Sequence, residues 1–296
     1  MSTALLLLPD FTLILLGLLL FRFTHWPTAF WSGLEQLVYF VLFPCLLFYS
    51  TARAPLDFGV TGPLLETAVI TCLAGIALGW LAKPLFAPGP MLFESGVQTA
   101  FRFNSYIGLA LASRLDSQHG AALMALMIGV GVPLCNVAAV HALVHRNGNL
   151  LLELLRNPLL MAALLGTLYN LTGLPIPEFI GASLSRLGNA SIALGLIAVG
   201  AGMRVSGLRE GKRMAGYFMT AKLLALPLVA WLVGTRLGLS YLSLQIAVLF
   251  AALPTASSAY VLAARLGGNG PFVAFLISAQ TLLSILTLPL WLAWLG

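Results

Sequence analysis

Apolar runs about as long as a bilayer is thick follow one another along this chain, each closed by proline, glycine or charged residues. They fall at roughly 3–21, 32–50, 63–82, 94–114, 120–144, 157–172, 181–203, 215–235, 242–265 and 272–295. A helix crosses the hydrocarbon core with about 20 such residues, so the pattern predicts ten transmembrane helices. The alternating strands of a membrane barrel are missing, and lipid tolerates only helices or closed barrels, because backbone groups find no water there. The expected fold class is an all-α integral membrane protein. The longest polar connections are His145 to Asn157 and Arg204 to Arg213. Ten helices take about 200 of the 296 residues, which leaves no soluble catalytic, nucleotide-binding or DNA-binding domain.

The runs repeat. Ala112-Ser113-Arg114-Leu115 in the fourth segment corresponds to Ala263-Ala264-Arg265-Leu266 in the ninth, an offset of 151 (112 to 263). Leu34-Glu35-Gln36-Leu37 opens the second segment as Leu184-Ser185-Arg186-Leu187 opens the seventh, an offset of 150 (34 to 184). Leu78-Gly79 and Val233-Gly234 occupy matching places in the third and eighth segments. The order predicts two five-helix halves, 1–147 and 148–296. Five is odd, so the second half is inverted in the membrane relative to the first. With the N-terminus outside, inside loops hold Arg22, Lys83, Arg146, Arg156, Arg204, Arg209, Lys212, Arg213 and Arg265, and outside loops hold Arg53, Arg114, Arg186 and Arg236. That asymmetry favours an N-out, C-out topology.

Composition agrees: 60% of residues are hydrophobic and 8% charged, where a soluble domain is about a quarter charged. The net charge of +6 records loop orientation rather than a nucleic-acid partner. Cys45, Cys72 and Cys135 lie within apolar runs without metal-ligand spacing, so they read as packing. Met1 to Phe21 has no positive residue ahead of it and reads as a retained first helix. His141 and His145 stand four apart, but Ala142 occupies the place where a metalloprotease needs glutamate. Gly129-Val130-Gly131 and Gly200-Ala201-Gly202 lack the strand-to-helix setting of a dinucleotide loop, and with Gly75 and Gly79 they read as helix-packing positions. No cofactor, metal or catalytic set is expected.

Several stretches, in order along essentially the whole chain, carry a family resemblance. They are Phe43-Pro44-Cys45-Leu46-Leu47-Phe48, Arg102 through Leu109, Arg156-Asn157-Pro158-Leu159-Leu160, Lys222 with Pro227, Ala252-Leu253-Pro254-Thr255-Ala256, and Thr281 through Pro289. In these the chain resembles the auxin efflux carrier family, the bacterial relatives of the PIN-type carriers. Where many members carry a proline after the first crossover, this chain reads Gly108-Leu109-Ala110. The resemblance implies ten helices in two inverted repeats, with the fourth and ninth broken and crossing mid-membrane. It implies transport of small organic anions such as auxin-like acids, malate or malonate, location in a bacterial inner membrane, and a homodimer formed through the first of two helix bundles. One bundle would hold segments one, two, six and seven, and the other the remaining six.

The residues at the two breaks give this a physical basis. Pro254 removes a backbone donor, and Thr255 after it is a good helix N-cap. The offset of 151 places Asn104 opposite Thr255, and Asn104 and Ser105 are also cap-forming types. Two helices restarting near one point present N–H groups and positive dipole ends, which together make an anion site. A proline kink with a packed polar pair is the plainer alternative. Arg102, costing roughly 2.5–3.5 kcal/mol near a helix centre, either pairs a substrate carboxylate or caps the first half-helix or pairs Glu94. Lys222 either meets the substrate or snorkels to the interface. Glu66 either couples protons, pairs a cation or faces the outer boundary. The substrate-binding candidates are Arg102, Asn104, Ser105, Pro254, Thr255 and Lys222.

The expected function is secondary transport of a small organic anion by alternating access, with proton coupling as an open question. A sodium-coupled carrier of the bile-acid type needs further polar residues around the crossover, and few stand out along the chain. An intramembrane hydrolase needs a mid-membrane Ser/His or paired-Asp set, yet His25, His119, His141 and His145 lie near segment ends. Saturable counterflow would argue against a channel. The repeat yields a direct test: in a cysteine-free background, single cysteines at Ser113 and Ala264 should label from opposite membrane faces, Ala264 from inside. Labelling of both from one side would remove the inverted repeat.

Overall fold

The structure is a computed structural model that describes residues 3–53, 58–117, 119–143, 158–203, 211–256, 258–265 and 267–295. Among the described residues all regular structure is helical. Six helices among the described residues are long and apolar enough to cross a membrane: Thr28–Tyr49, Thr61–Phe86, Gly120–Leu143, Glu178–Gly202, Lys212–Arg236 and Gly270–Leu295. Thr3–Phe23 and Pro158–Leu171 are further apolar helices. The fourth and ninth apolar segments are interrupted. Helix Pro90–Gly96 tightens into a 3-10 turn, Val97–Ala100, before a new helix starts at Ser105. Helix Tyr241–Ala252 ends just before Leu253 and Pro254, and a new helix runs Ser258–Arg265. The junction between the halves near residue 147, together with His145, Arg156, Asn157, Arg204 and Arg209, lies outside the described residues.

Prolines are accommodated in two ways. Pro63, Pro84, Pro133 and Pro289 sit inside continuous helices. Pro44 and Pro227 each follow a wider π turn, Val38–Leu42 and Ala221–Ala225. The wider turn lets the residue before each proline donate five positions back, Phe43 to the Val38 carbonyl and Leu226 to the Ala221 carbonyl. The missing proline N–H is absorbed without ending the helix. At the close of Lys212–Arg236, Gly238 takes φ +69, and the Leu239 amide bonds the Gly234 carbonyl at 2.9 Å. Left-handed backbone at that point is cheap only for glycine. Ser240 then caps the next helix by accepting from the Ser243 amide at 3.3 Å.

Packing divides the chain into two compact units. One comprises Met1–Thr61, Tyr106–Gly129 and Asn149–Gly202, and the other Gly62–Ser105, Val130–Gly148 and Met203–Gly296. The division differs from the bundles that the resemblance implies, because the chain passes from one unit to the other within the fourth segment, at Ser105 and Tyr106, and again within the fifth.

In the first unit, helix Thr3–Phe23 lies close against Glu178–Gly202. A Cβ on Gly17 would overlap the Ile197 carbonyl, and one on Gly200 the Ile14 carbonyl. Small residues permit such backbone approach where no hydrophobic effect drives helices together. Phe43 stacks on Tyr106 at 4.2 Å, over Gly195. The Asn170 side chain donates to the Thr51 carbonyl at 2.9 Å, joining Pro158–Leu171 to Phe43–Ala52. Gly200→Ala should therefore destabilise the protein by about 1–3 kcal/mol, whereas Gly33→Ala, with nothing within 4 Å of the added carbon, should be neutral or slightly stabilising. Melting temperatures in detergent check this, and equal melting of the two variants would refute the close approach.

Candidate functional site at the paired helix breaks

Both interruptions lie in the second unit and touch through the backbone. The Asn104 amide donates to the Pro254 carbonyl at 2.7 Å. The sequence offset placed these positions within a residue of each other, and the structure brings them into contact. Local chemistry opens the second break. Leu253 precedes a proline, which disfavours helical backbone, and it is extended at φ −58, ψ 137.

Thr255 departs from the capping expectation. Its helix restarts three residues later, at Ser258. The Thr255 hydroxyl instead donates to the Thr99 carbonyl at 2.9 Å and lies 3.5 Å from that of Arg102. Its amide donates to Oε1 of Gln280 at 2.9 Å, and Nε2 of Gln280 donates to the same Thr99 carbonyl at 3.0 Å. Extended backbone at Leu253 carries Thr255 away from its own helix and towards carbonyls that the first break exposes. Asn104 stands immediately before helix Ser105–Leu115, the position expected of a cap.

A second buried amide completes the arrangement. Gln98 donates through Nε2 to the carbonyls of Ser95, at 3.1 Å, and Ala259, at 3.2 Å. Its Oε1 accepts from Nη1 of Arg102 at 3.2 Å, and Nη2 of Arg102 donates to Oγ of Ser258 at 3.1 Å. Half-buried Arg102 therefore reaches the first residue of the restarted helix Ser258–Arg265. Gln98, Thr99, Thr255 and Gln280 are all fully buried, and each has partners, as buried polar groups require.

Lys222 is enclosed by protein, 1% exposed, and Nζ donates to the Ala251 carbonyl at 3.1 Å. It does not run out to an interface here. Glu66, by contrast, is exposed. Glycines seat the region: Gly75 lies against Phe101 and Leu226, Gly79 against Val97, and Gly131 under Phe103 and Phe250, whose rings are 4.4 Å apart.

A family described as membrane transport protein matches residues 140–292, just over half of the chain. The chain belongs to that family. It is the auxin efflux carrier family that the sequence resembled. An uncharacterized transporter of Methanothermobacter thermautotrophicus is 29% identical over 88% of this chain and 87% of its own. A Rhizobium meliloti protein named "Putative malonate transporter" is 26% identical over 95% of this chain and 92% of its own. The protein is thus a multi-pass membrane transporter and not an enzyme.

Reading the sequence alone missed Gln98, Gln280 and Ser258. The available signal was an amide inside an apolar run, since an intramembrane polar residue is rarely idle. The polar set that a sodium-coupled carrier would need is also larger than the chain suggested, because neighbouring Gln98 and Thr99 on one helix meet Gln280 from another. Gln280→Leu leaves the Thr255 amide and one Thr99 carbonyl bond unmade. It should cost about 1–3 kcal/mol per unsatisfied group, read as lowered unfolding stability in mixed micelles. Thr281→Val, losing one hydroxyl bond to Ile277 in its own helix, should cost less. The reverse order would refute Gln280 as the link between the breaks.

Proposed function

We propose that this transporter moves a small organic anion, a carboxylate of the malonate class, by alternating access at the paired breaks. The observation that carries the proposal is the approach of Arg102 to Ser258. A guanidinium at a helix N-terminus sets a full positive charge beside a positive dipole end, an unfavourable pairing that a bound anion converts into a favourable one. The fork of Arg102 suits a carboxylate, and the Ser258 hydroxyl adds a donor or acceptor at the same point. The name of the Rhizobium meliloti relative supports a dicarboxylate.

Asn104 and Thr255 have bonded amides in this conformation. They shape the site together with Pro254, while Ser105 opens the first restarted helix. Ten transmembrane helices in two inverted halves, 1–147 and 148–296, are the architecture we propose around it, with both termini outside the plasma membrane. Equivalent burial supports the repeat: positions 31 and 38 are buried, 34 and 35 half-buried and the rest of 31–38 exposed, and 181–188 follow the same order 150 residues later (31 to 181).

Arg102→Gln should fold and lose malonate-induced thermal stabilisation by roughly tenfold or more in affinity, with Arg102→Lys recovering part of it. Ligand-dependent melting of the purified protein measures this. Equal malonate stabilisation of wild type and the glutamine variant would remove Arg102 from the site.

A further inference from the structure

Among the described residues, Lys222 is the charge with least to account for it. It is 1% exposed, and its one hydrogen-bond partner among the described residues is a backbone carbonyl. No carboxylate among the described residues pairs with it, and its polar side-chain neighbours are the thiols of Cys72 and Cys135. An ammonium ion is expensive to bury without compensation, so the question is what compensates it.

The carbonyl it meets supplies the answer. Ala251 is in the last turn of helix Tyr241–Ala252, which stops because Leu253 is extended and Pro254 has no N–H. A helix end leaves its last carbonyls without intrahelical donors and concentrates partial negative charge there. In carriers built on broken helices, such carbonyl ends are where coupling cations bind. Lys222 reaches this end from the π turn Ala221–Ala225, and the wider turn precedes Pro227.

The other break closes its carbonyl end without charge. The first interrupted helix ends in the 3-10 turn Val97–Ala100, with Phe101 at its close. There Sγ of Cys135 donates to the Phe101 carbonyl at 3.4 Å. The carbonyl end at the first break is thus met by a neutral thiol, and that at the second by an ammonium.

We infer that Lys222 is a tethered cation: its ammonium occupies the carbonyl end of the broken helix in the place of a dissolved metal cation, and makes this transporter independent of sodium. The inference rests on the paired breaks being the transport site, but not on which anion is carried. Lys222 acts through the helix end and is a positioning residue, not a substrate contact.

The test uses the full-length protein in two assays. Labelled malonate uptake into proteoliposomes and melting in nanodiscs are each measured in sodium, potassium and choline chloride at one ionic strength. Wild type should give the same uptake and melting in all three. Lys222→Ala should lose uptake by roughly tenfold or more, melt lower, and regain both in a saturable way with methylammonium or sodium, which fit the vacated space. Lys222→Met fills that space without charge, so it should stay inactive and unrescued. Sodium-dependent uptake or melting by wild type, full uptake by Lys222→Met, or a Lys222→Ala protein whose melting ignores methylammonium would each overturn the inference. Should Lys222→Ala fail to fold, the methionine variant and the wild-type salt series decide it. Absence of malonate uptake by wild type would count against the substrate class alone, since the melting measurements need no substrate.

Discussion

A backbone hydrogen bond from the Asn104 amide to the Pro254 carbonyl, with the Thr255–Thr99 and Arg102–Ser258 bonds beside it, holds the two helix breaks against each other. Lipid offers no water to a broken helix, so every donor and acceptor freed by a break has to find a partner inside the protein. One break alone would leave several such groups stranded. Two breaks in contact share them: the first exposes the carbonyls of Thr99, Phe101 and Arg102, and the second brings the Thr255 hydroxyl, with Gln280 behind it. The buried amides of Gln98 and Gln280 extend this from one chain segment to the next, because an amide both donates and accepts. An apolar residue at either position would break the link on two sides at once.

The same breaks set the electrostatics. Each interrupted helix has a negative end before the gap and a positive end after it. Lys222 lies at the negative end of Tyr241–Ala252, where a cation is favourable. Arg102 lies at the positive end of Ser258–Arg265, where a cation is unfavourable until an anion joins it. Two basic residues at the two ends of one interrupted segment therefore have opposite relations to the backbone: one neutralises a partial negative charge, and the other adds to a positive field.

Glycine is what lets backbone come this close. Gly75 and Gly79 give the stretch from Val97 to Phe101 a smooth helix to lie on, and Gly131 makes room for the paired rings of Phe103 and Phe250. In the other unit, Gly17 and Gly200 do the same for two long helices. Dispersion and close contact carry such packing where burial from water does not, so a single methyl group matters more here than its area suggests.

Much of this was legible in the sequence because it depends on local rules. Apolar runs of bilayer length announce helices wherever they occur, and their observed ends fall within a few residues of the expected ones. Pro254 breaks its helix through its own covalent structure, and the offset of 151 between matching stretches sets Asn104 close to it. Tertiary structure alone decided what the freed groups would bond. Thr255 had the chemistry of a cap, yet its hydroxyl goes to Thr99, 156 residues away, and Gln280 reaches that same carbonyl from 181 residues away. Lys222 left two readings open in the sequence, and the structure sets its ammonium on a helix end 29 residues further on. A polar side chain in an apolar run must find some partner, which sequence can foretell. Which partner it finds depends on helices that approach each other only in the folded protein.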